Sequence, residues 1–100
     1  MAQDELDITY RGHEHGGVYT AHVPGSDKVG KLTWKARDGV RVADHTLVPP
    51  EIGGRGIAAA LVEALVADAR EQGFRIDPQC SYVEAMFRRH PEWAELRASA

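Results

Sequence analysis

A glycine-rich turn placed before a long helical pattern constrains the fold of this chain more than any other feature. The segment covers residues 48–58 and reads Val-Pro-Pro-Glu-Ile-Gly-Gly-Arg-Gly-Ile-Ala. Glycine can adopt positive φ, and it lets a ligand approach the backbone without meeting a Cβ. The first amides of the following helix have no intrahelical partners and lie at the positive end of the helix dipole. The turn is therefore typical of an anion site, usually occupied by phosphate.

Other interpretations of this turn have to be weighed. The dinucleotide fingerprint needs a third glycine after Gly54 and Gly56, and the Walker loop needs Gly-Lys-Ser/Thr; the sequence has neither. A plain strand-to-helix connection that binds nothing fits the turn by itself about as well as phosphate binding does. Arg55 adds a positive charge inside the loop. The turn alone leaves phosphate binding and a plain connection both open.

The pattern after the turn predicts two helices. Apolar residues recur at helical spacing from about Gly56 to Gln72, and Gly73 is suited to end this first helix. A second helix is predicted to begin with Ser81 as its N-cap, and Glu84 would complete a capping box three residues later.

Five strands are predicted around these helices. Polar and apolar residues alternate, or β-branched residues cluster, in residues 6–10, 18–23, 29–36, 40–48 and 74–76. Alternation in the fourth strand places Val42, Asp44 and Thr46 on one face and Ala43 and His45 on the other. Because a helix intervenes, the fifth strand can lie parallel to the fourth. The sequence therefore predicts an α/β (α+β) fold with helices against a mainly antiparallel sheet.

Composition narrows the class of protein. One hundred residues suit a single domain over residues 1–100, and 43% hydrophobic with 27% charged residues is ordinary for a globular protein. A net charge of −3 argues against a general nucleic-acid binder. No apolar run approaches the ~20 residues of a transmembrane helix, so no membrane partner is expected. The polar N-terminus does not resemble a secretory signal, and one cysteine suits a reducing cytoplasm.

Three segments of the sequence carry a family resemblance. Val-Pro-Pro-Glu at 48–51 followed by Arg-Gly-Ile-Ala at 55–58 resembles motif A of the GNAT superfamily of acyl-CoA N-acyltransferases. Pro-Gln-Cys-Ser-Tyr-Val at 78–83 and Arg-His-Pro-Glu-Trp at 89–93 are similar to its small, single-domain branch of N-acetyltransferase domain-containing proteins. The resemblance implies a GNAT-like mixed sheet with a long helix after the fourth strand and a second helix after the fifth. It also implies that these two strands splay apart to admit an acyl thioester.

The resemblance implies acetyl-CoA as the cofactor. The wider superfamily pattern is Arg/Gln-x-x-Gly-x-Gly/Ala, and this chain has Gly53 at its first position, so one side-chain contact to the pyrophosphate is missing. Arg89 belongs to a small basic cluster that could meet the ribose phosphate, although such clusters more often offset a helix dipole. The residues expected to bind the cofactor are Leu47, Val48, Gly53, Gly54, Arg55, Gly56, Ile57, Ala58 and Arg89.

Cys80, Tyr82 and His45 are the candidate catalytic residues. A thiol at the start of a helix is where a lowered pKa is plausible, so Cys80 could carry an acyl group, line the acyl pocket, or simply fill the core. Tyr82 corresponds to a tyrosine that many GNAT enzymes use as general acid, but it could equally be a core aromatic. His45 could act as general base directly or through a water, or be structural.

The expected function is transfer of an acetyl group from acetyl-CoA to a primary amine. The acceptor would be a lysine of a protein or peptide, or a small amine, and the acidic balance would help to attract a cation. A non-catalytic acyl-CoA-binding module and a small interaction domain are the alternatives. No metal is expected, because His13, His15 and His22 match no structural zinc pattern and favour a solvated loop.

Overall fold

The computed structural model describes residues 6–53 and 56–98, which form one five-stranded sheet with helices. The elements are β1 Asp7–His13, β2 Gly16–His22, β3 Val29–Arg37, β4 Val40–Leu47, a 3₁₀ helix Pro50–Ile52, α1 Ile57–Gln72, β5 Arg75–Pro78, α2 Ser81–Arg89 and a 3₁₀ helix Pro91–Leu96. The strand order is β1-β2-β3-β4-β5, with β1 to β4 antiparallel and β5 parallel to β4. The predicted fold class is thus confirmed. Within the described residues, no helix is long and apolar enough to cross a membrane.

The sheet has one covered face and one open face. Alternate residues of the strands, among them Tyr19, Leu32 and Ile76, are buried in one core with the apolar residues of α1 and α2. The residues between them, such as Lys31 and Lys35, are exposed. Since neighbouring side chains on a strand point to opposite faces, both helices cover the same side of the sheet. We call the side with Lys31 and Lys35 the open face.

Helix α1 covers the sheet with an apolar stripe at helical spacing. It begins after Gly56, the N-cap, and ends at Gly73, whose positive φ of 83° lets its N–H donate to the Ala69 carbonyl at 2.8 Å. The predicted limits are confirmed to within one residue. Burial of each large apolar side chain contributes about 1.5–3 kcal/mol relative to exposure, so the stripe holds α1 on the sheet. The buried residues are Ile57, Ala60, Leu61, Val62, Leu65, Val66 and Ala69.

A bulge in β4 overturns the predicted alternation of that strand. Trp34 on β3 pairs with Ala43, but the preceding Thr33 pairs with His45, so Asp44 is an extra residue. Directly paired residues share a face, which places Ala43 on the covered face and His45 on the open face. The prediction put these two on the same face. It was wrong because the bulge inserts one residue into a strand whose side chains otherwise alternate.

The predicted cap of α2 is also wrong. Cys80 is the N-cap, Ser81 is the first helical residue, and neither completes a capping box. The Glu84 carboxylate instead accepts hydrogen bonds from Arg97 at 2.8 Å and Arg88 at 2.9 Å. Charge-assisted bonds to guanidinium groups are about twice as strong as neutral ones, so they outcompete a backbone amide for this carboxylate.

Candidate functional site

Strands β4 and β5 separate at the point where the bulge occurs. Their parallel pairing ends at Ala43 and Pro78. The amides of Gln79 and Cys80 then both donate to the Ala43 carbonyl, at 3.1 and 2.8 Å. Beyond this point β4 continues to Leu47 with β3 on one side and no paired strand on the other. The edge of β4 past Ala43 therefore faces a gap, which is the divergence that the resemblance implies.

The first turn of α1 lies at the same end of the sheet, and a connection with the 3₁₀ helix Pro50–Ile52 joins it to β4. No side chain caps this helix and its first turn contains no acidic residue. The Ala60 amide donates to the Gly56 carbonyl at 3.0 Å, so the amides of Ile57, Ala58 and Ala59 have no partner within the helix. Three donors without a partner inside the helix, at the positive end of the dipole, make this turn suited to an anion.

The glycines of the turn differ in conformation. Gly56 has a φ of +70°, and a Cβ added there would meet no atom within 4 Å, so its place is open to a ligand. Gly53 has a φ of −66°, an extended conformation that any residue adopts. Gly53 therefore does not use the positive φ that glycine allows, and it occupies the position where the superfamily has a side chain. Gly54 and Arg55 lie outside the described residues.

A glycine that the sequence reasoning missed brings α1 close to the sheet. A Cβ added to Gly30 of β3 would lie 2.8 Å from Ile57 Cγ2 and 3.4 Å from Val48 Cγ2. Val48 is half-buried here against the core, whereas Leu47 is 55% exposed. A glycine inside a strand pattern is itself a signal of close approach, and it was available in the sequence. Gly30 therefore fixes the distance between the first turn of α1 and the end of β4.

Cys80 faces β4 across the gap. Its Sγ lies 3.4 Å from the hydroxyl oxygen of Thr46, a residue that the sequence reasoning did not single out. Burial alone would raise the pKa of Cys80. Hydrogen bonds to the thiolate from the Thr46 hydroxyl and from backbone amides that include Val83 and Tyr82 outweigh burial and lower the pKa. The first turn of α2 and the end of β4 thus favour the reactive, ionised form of this thiol.

Tyr82 lies one residue into α2, half-buried against the core. Burial raises its pKa, the charge of Glu63 adds to the rise, and the charge of Arg89 opposes it. The phenol therefore stays protonated at neutral pH and can donate a proton. Arg89 is exposed, and it makes no ion pair within the part of the chain that the structure describes.

The structure does not bring His45 to the same place as Cys80. His45 is exposed on the open face, opposite Thr33, and its ring makes no hydrogen bond to another described residue. Thr46, which contacts Cys80, pairs with Leu32 on the covered face. The three predicted catalytic residues thus form two groups on opposite sides of β4.

The three histidines considered as metal ligands, His13, His15 and His22, all lie on the β1–β2 hairpin. The His15 amide donates to His13 Nδ1 at 3.3 Å, whereas His22 lies at the other end of the hairpin, 3.1 Å from the Thr9 hydroxyl. Residues 6–53 and 56–98 contain no group of three or more His, Cys, Asp or Glu side chains that could hold a metal ion.

Comparison with known proteins assigns the family. A family model described as GCN5-related N-acetyl-transferase matches residues 18–96, from β2 through the last 3₁₀ helix. No curated protein matches the chain significantly. The matched region includes the glycine turn, the gap between β4 and β5, and the first turn of α2. The chain belongs to the GCN5-related N-acetyltransferase family.

Proposed function

We propose that this protein binds acetyl-CoA and transfers its acetyl group to a primary amine. Family membership gives the class of activity, acetyl transfer. The assignment of the cofactor rests on two features that lie at the same end of the sheet. The uncapped first turn of α1 follows the end of β4 after a connection that contains the 3₁₀ helix Pro50–Ile52, and β4 borders the gap that begins at Ala43.

The residues at this end fit coenzyme A. Its pyrophosphate needs several hydrogen-bond donors and no competing carboxylate, and the first turn of α1 meets both needs. The open space beside Gly56 admits a phosphate close to the backbone. We assign the pyrophosphate to the amides of Gly56, Ile57 and Ala58, together with Gly54 and Arg55. The Gly53 amide donates to the Pro50 carbonyl at 3.1 Å, so Gly53 would contribute only a backbone without a side chain. The backbone of Leu47 and Val48 would hold the pantetheine arm, and Arg89 the ribose phosphate.

Acetyl-CoA supplies the acetyl group as an activated thioester when it is bound. The backbone of β4 past Ala43 has no strand on the side of the gap, so it offers unpaired groups to polarise the thioester carbonyl. Tyr82 stays protonated near neutral pH and is the general acid for the leaving thiolate. His45 is the base, acting from the open face on the acceptor amine directly or through one water.

Cys80 forms part of the wall of the acyl pocket. The lowered pKa of Cys80 allows a second role. In that role the thiolate would attack the thioester and accept the acetyl group as the coenzyme A thiolate leaves, and then pass the acetyl group to the amine. Intact-protein mass after brief exposure to acetyl-CoA distinguishes the two roles. An added acetyl group that disappears in Cys80→Ala would establish the covalent role, and an unchanged mass would leave Cys80 in the pocket wall.

The cofactor assignment is tested by calorimetric titration of acetyl-CoA into Gly56→Glu and its matched control, Gly39→Glu. Both glycines have positive φ, and a Cβ at either meets nothing within 4 Å, so the cost to the fold is similar. Gly39 lies in the β3–β4 hairpin, at the far end of β4 from the first turn of α1. We expect micromolar affinity that falls at least a hundredfold in Gly56→Glu and less than twofold in Gly39→Glu.

Two results would contradict this assignment. Equal losses in both variants would place the ligand elsewhere and attribute the effect to backbone strain. No binding by the unaltered protein would remove the enzyme assignment and favour a small interaction domain. Tight binding without transfer to any amine would instead indicate a non-catalytic acyl-CoA-binding module.

A further inference from the structure

The open face of the sheet contains a groove that the cofactor site does not use. It has a volume of about 620 Å³ and runs from the β1–β2 hairpin across β3 to β4. Neither helix covers this face. Among the residues that line the groove are Arg11, His13, Gly16, Thr33, Lys35 and Asp44.

The groove ends at the bulge of β4, beside the gap. Asp44 follows Ala43, the last residue of β4 that pairs with β5, so Asp44 lies beside the start of the gap. Asp44 Oδ1 accepts a hydrogen bond from the Thr33 hydroxyl at 2.8 Å. Lys35 Nζ lies 3.8 Å from Asp44 Oδ2, but this lysine side chain is 77% exposed. The carboxylate is thus held in position while its cationic partner is easily displaced by another ammonium group.

The other end of the groove is positively charged. Arg11 on β1 is exposed and makes no ion pair with another residue in 6–53 or 56–98. His13 lines the groove beside it. The whole chain has a net charge of −3. The groove instead contains two permanently charged cations, Arg11 and Lys35, and one carboxylate, so its charge differs from that of the chain as a whole. A ligand with both an ammonium and an anionic group would match both ends.

The register of the sheet sets the distance between these ends. Arg11 pairs with Val18, Val18 with Thr33, and Thr33 with His45, beside Asp44. Three steps between strands of about 4.8 Å each separate the two ends by about 14 Å. An extended peptide advances about 3.3 Å per residue, and the Arg11 side chain shortens the distance that the peptide has to cover. The span therefore corresponds to about two to four residues.

We propose that this groove binds the amine acceptor, and that the acceptor is an acidic peptide. Its amine pairs with Asp44 at the gap, and carboxylate side chains two to four residues away pair with Arg11. Gly16 contributes to the floor, because a Cβ there would lie 2.5 Å from the Trp34 carbonyl oxygen and the strand presents no side chain at that position. This inference rests on the proposed acetyl transfer, whose acceptor it specifies. It narrows the expected acceptor, a lysine of a protein or peptide or a small amine, to the amine of an acidic peptide.

The peptide's acidic residues are tested by calorimetry with two synthetic peptides. One is Ser-Gly-Asp-Glu-Gly with a free N-terminus and an amidated C-terminus, and the other replaces Asp-Glu with Asn-Gln. We expect the acidic peptide to bind about tenfold more tightly, as a charge-assisted Arg–carboxylate pair allows. Arg11→Gln should abolish this difference. Lys31→Gln, an equally exposed cation on the same face but outside the groove, should preserve it.

The peptide's amine is tested with Asp44→Asn and an acidic peptide acetylated at its N-terminus. In the unaltered protein, acetylation should weaken binding about tenfold, whereas in Asp44→Asn acetylation should change little. Equal binding of the Asp-Glu and Asn-Gln peptides would overturn the inference. Tighter binding of spermidine or of a single-stranded oligonucleotide than of the acidic peptide would also overturn it.

A parallel titration with acetyl-CoA separates the two proposals. Acetyl-CoA binding without discrimination between the peptides would remove the acidic acceptor and leave the acetyltransferase proposal intact. Peptide discrimination without acetyl-CoA binding would confirm the groove as a peptide site and remove its assignment as the acceptor site of an enzyme.

Discussion

The two faces of the sheet present different chemical groups, although β4 contributes side chains to both. The covered face carries Thr46, whose hydroxyl contacts Cys80 at the first turn of α2, where backbone amides help to lower the pKa of the thiol. The open face carries His45 and Asp44, and Asp44 lines a groove that contains cations. A strand that alternated without interruption could not place two consecutive residues on the same face. The bulge therefore places Asp44 and His45 together on the open face, while Thr46 stays on the covered face.

The position of the bulge, more than the identity of the residues around it, determines which residues of β4 lie on each face. Ala43 and Thr46 belong to the covered face although three positions separate them. The bulge also lies where β5 leaves β4, so the strand turns toward the gap at the same point.

The largest effect is expected from a pair of single-residue deletions in β4. Deletion of Asp44 removes the extra residue and leaves Ala43 opposite Trp34 and His45 opposite Thr33, so we expect a loss of less than about 1 kcal/mol. Deletion of Val42 also removes the bulge, but it moves Ala43 opposite Lys35 on the open face and Asp44 opposite the buried Trp34 on the covered face, where a carboxylate is costly. We expect a loss of about 3 kcal/mol or more in urea unfolding. Equal losses in the two deletions would place the bulge elsewhere.

A smaller effect is expected at Gly30, which holds α1 close to the covered face. Gly30→Val would drive a side chain into Ile57, which lies 2.8 Å from the position of the new Cβ. We expect about 1–3 kcal/mol of destabilisation in urea unfolding, as overpacking usually costs, together with weaker acetyl-CoA binding. Lys31→Val, the next residue but on the open face, should change stability by less than about 0.5 kcal/mol. A similar loss in both variants would contradict the assignment of the faces.

The smallest expected effect concerns the thiol. The Thr46 hydroxyl helps to lower the pKa of Cys80, so Thr46→Val should raise that pKa and reduce the thiolate fraction at neutral pH. The rate of iodoacetamide alkylation across pH reports this directly, because the chain has one cysteine. We expect a severalfold slower reaction near pH 7. Thr33→Val, a threonine on the open face, should leave the profile unchanged, and an identical shift in both variants would contradict the account.

Much of the fold could be predicted from the sequence because it depends on local periodicity. The spacing of Leu61, Leu65 and Ala69 predicts α1, and Gly73 predicts its end, without knowledge of the partners. The glycine turn before Ile57 likewise predicts an uncapped helix start suited to an anion.

The remaining features depend on contacts between distant residues. The bulge at Asp44 depends on pairing with Thr33, since Val42, Asp44 and Thr46 alternate normally in the sequence. The capping box is missing because Arg97, which follows α2 in the chain, donates a hydrogen bond to the Glu84 carboxylate. The contact between Thr46 and Cys80 also joins residues that are distant in the sequence, and so does the groove on the open face. No local sequence pattern connects these residues.

The division between the two faces is tested most directly by amide NMR spectra recorded during separate titrations with acetyl-CoA and with the acidic peptide. The account predicts that acetyl-CoA shifts the amides of Ile57, Ala58 and Cys80 and leaves Gly16 and Val18 nearly unchanged. The peptide should shift Gly16 and Val18 and leave Ile57 and Ala58 nearly unchanged. Overlapping shifts from both ligands in the groove, or no shift at Ile57 and Ala58 with acetyl-CoA, would contradict the account.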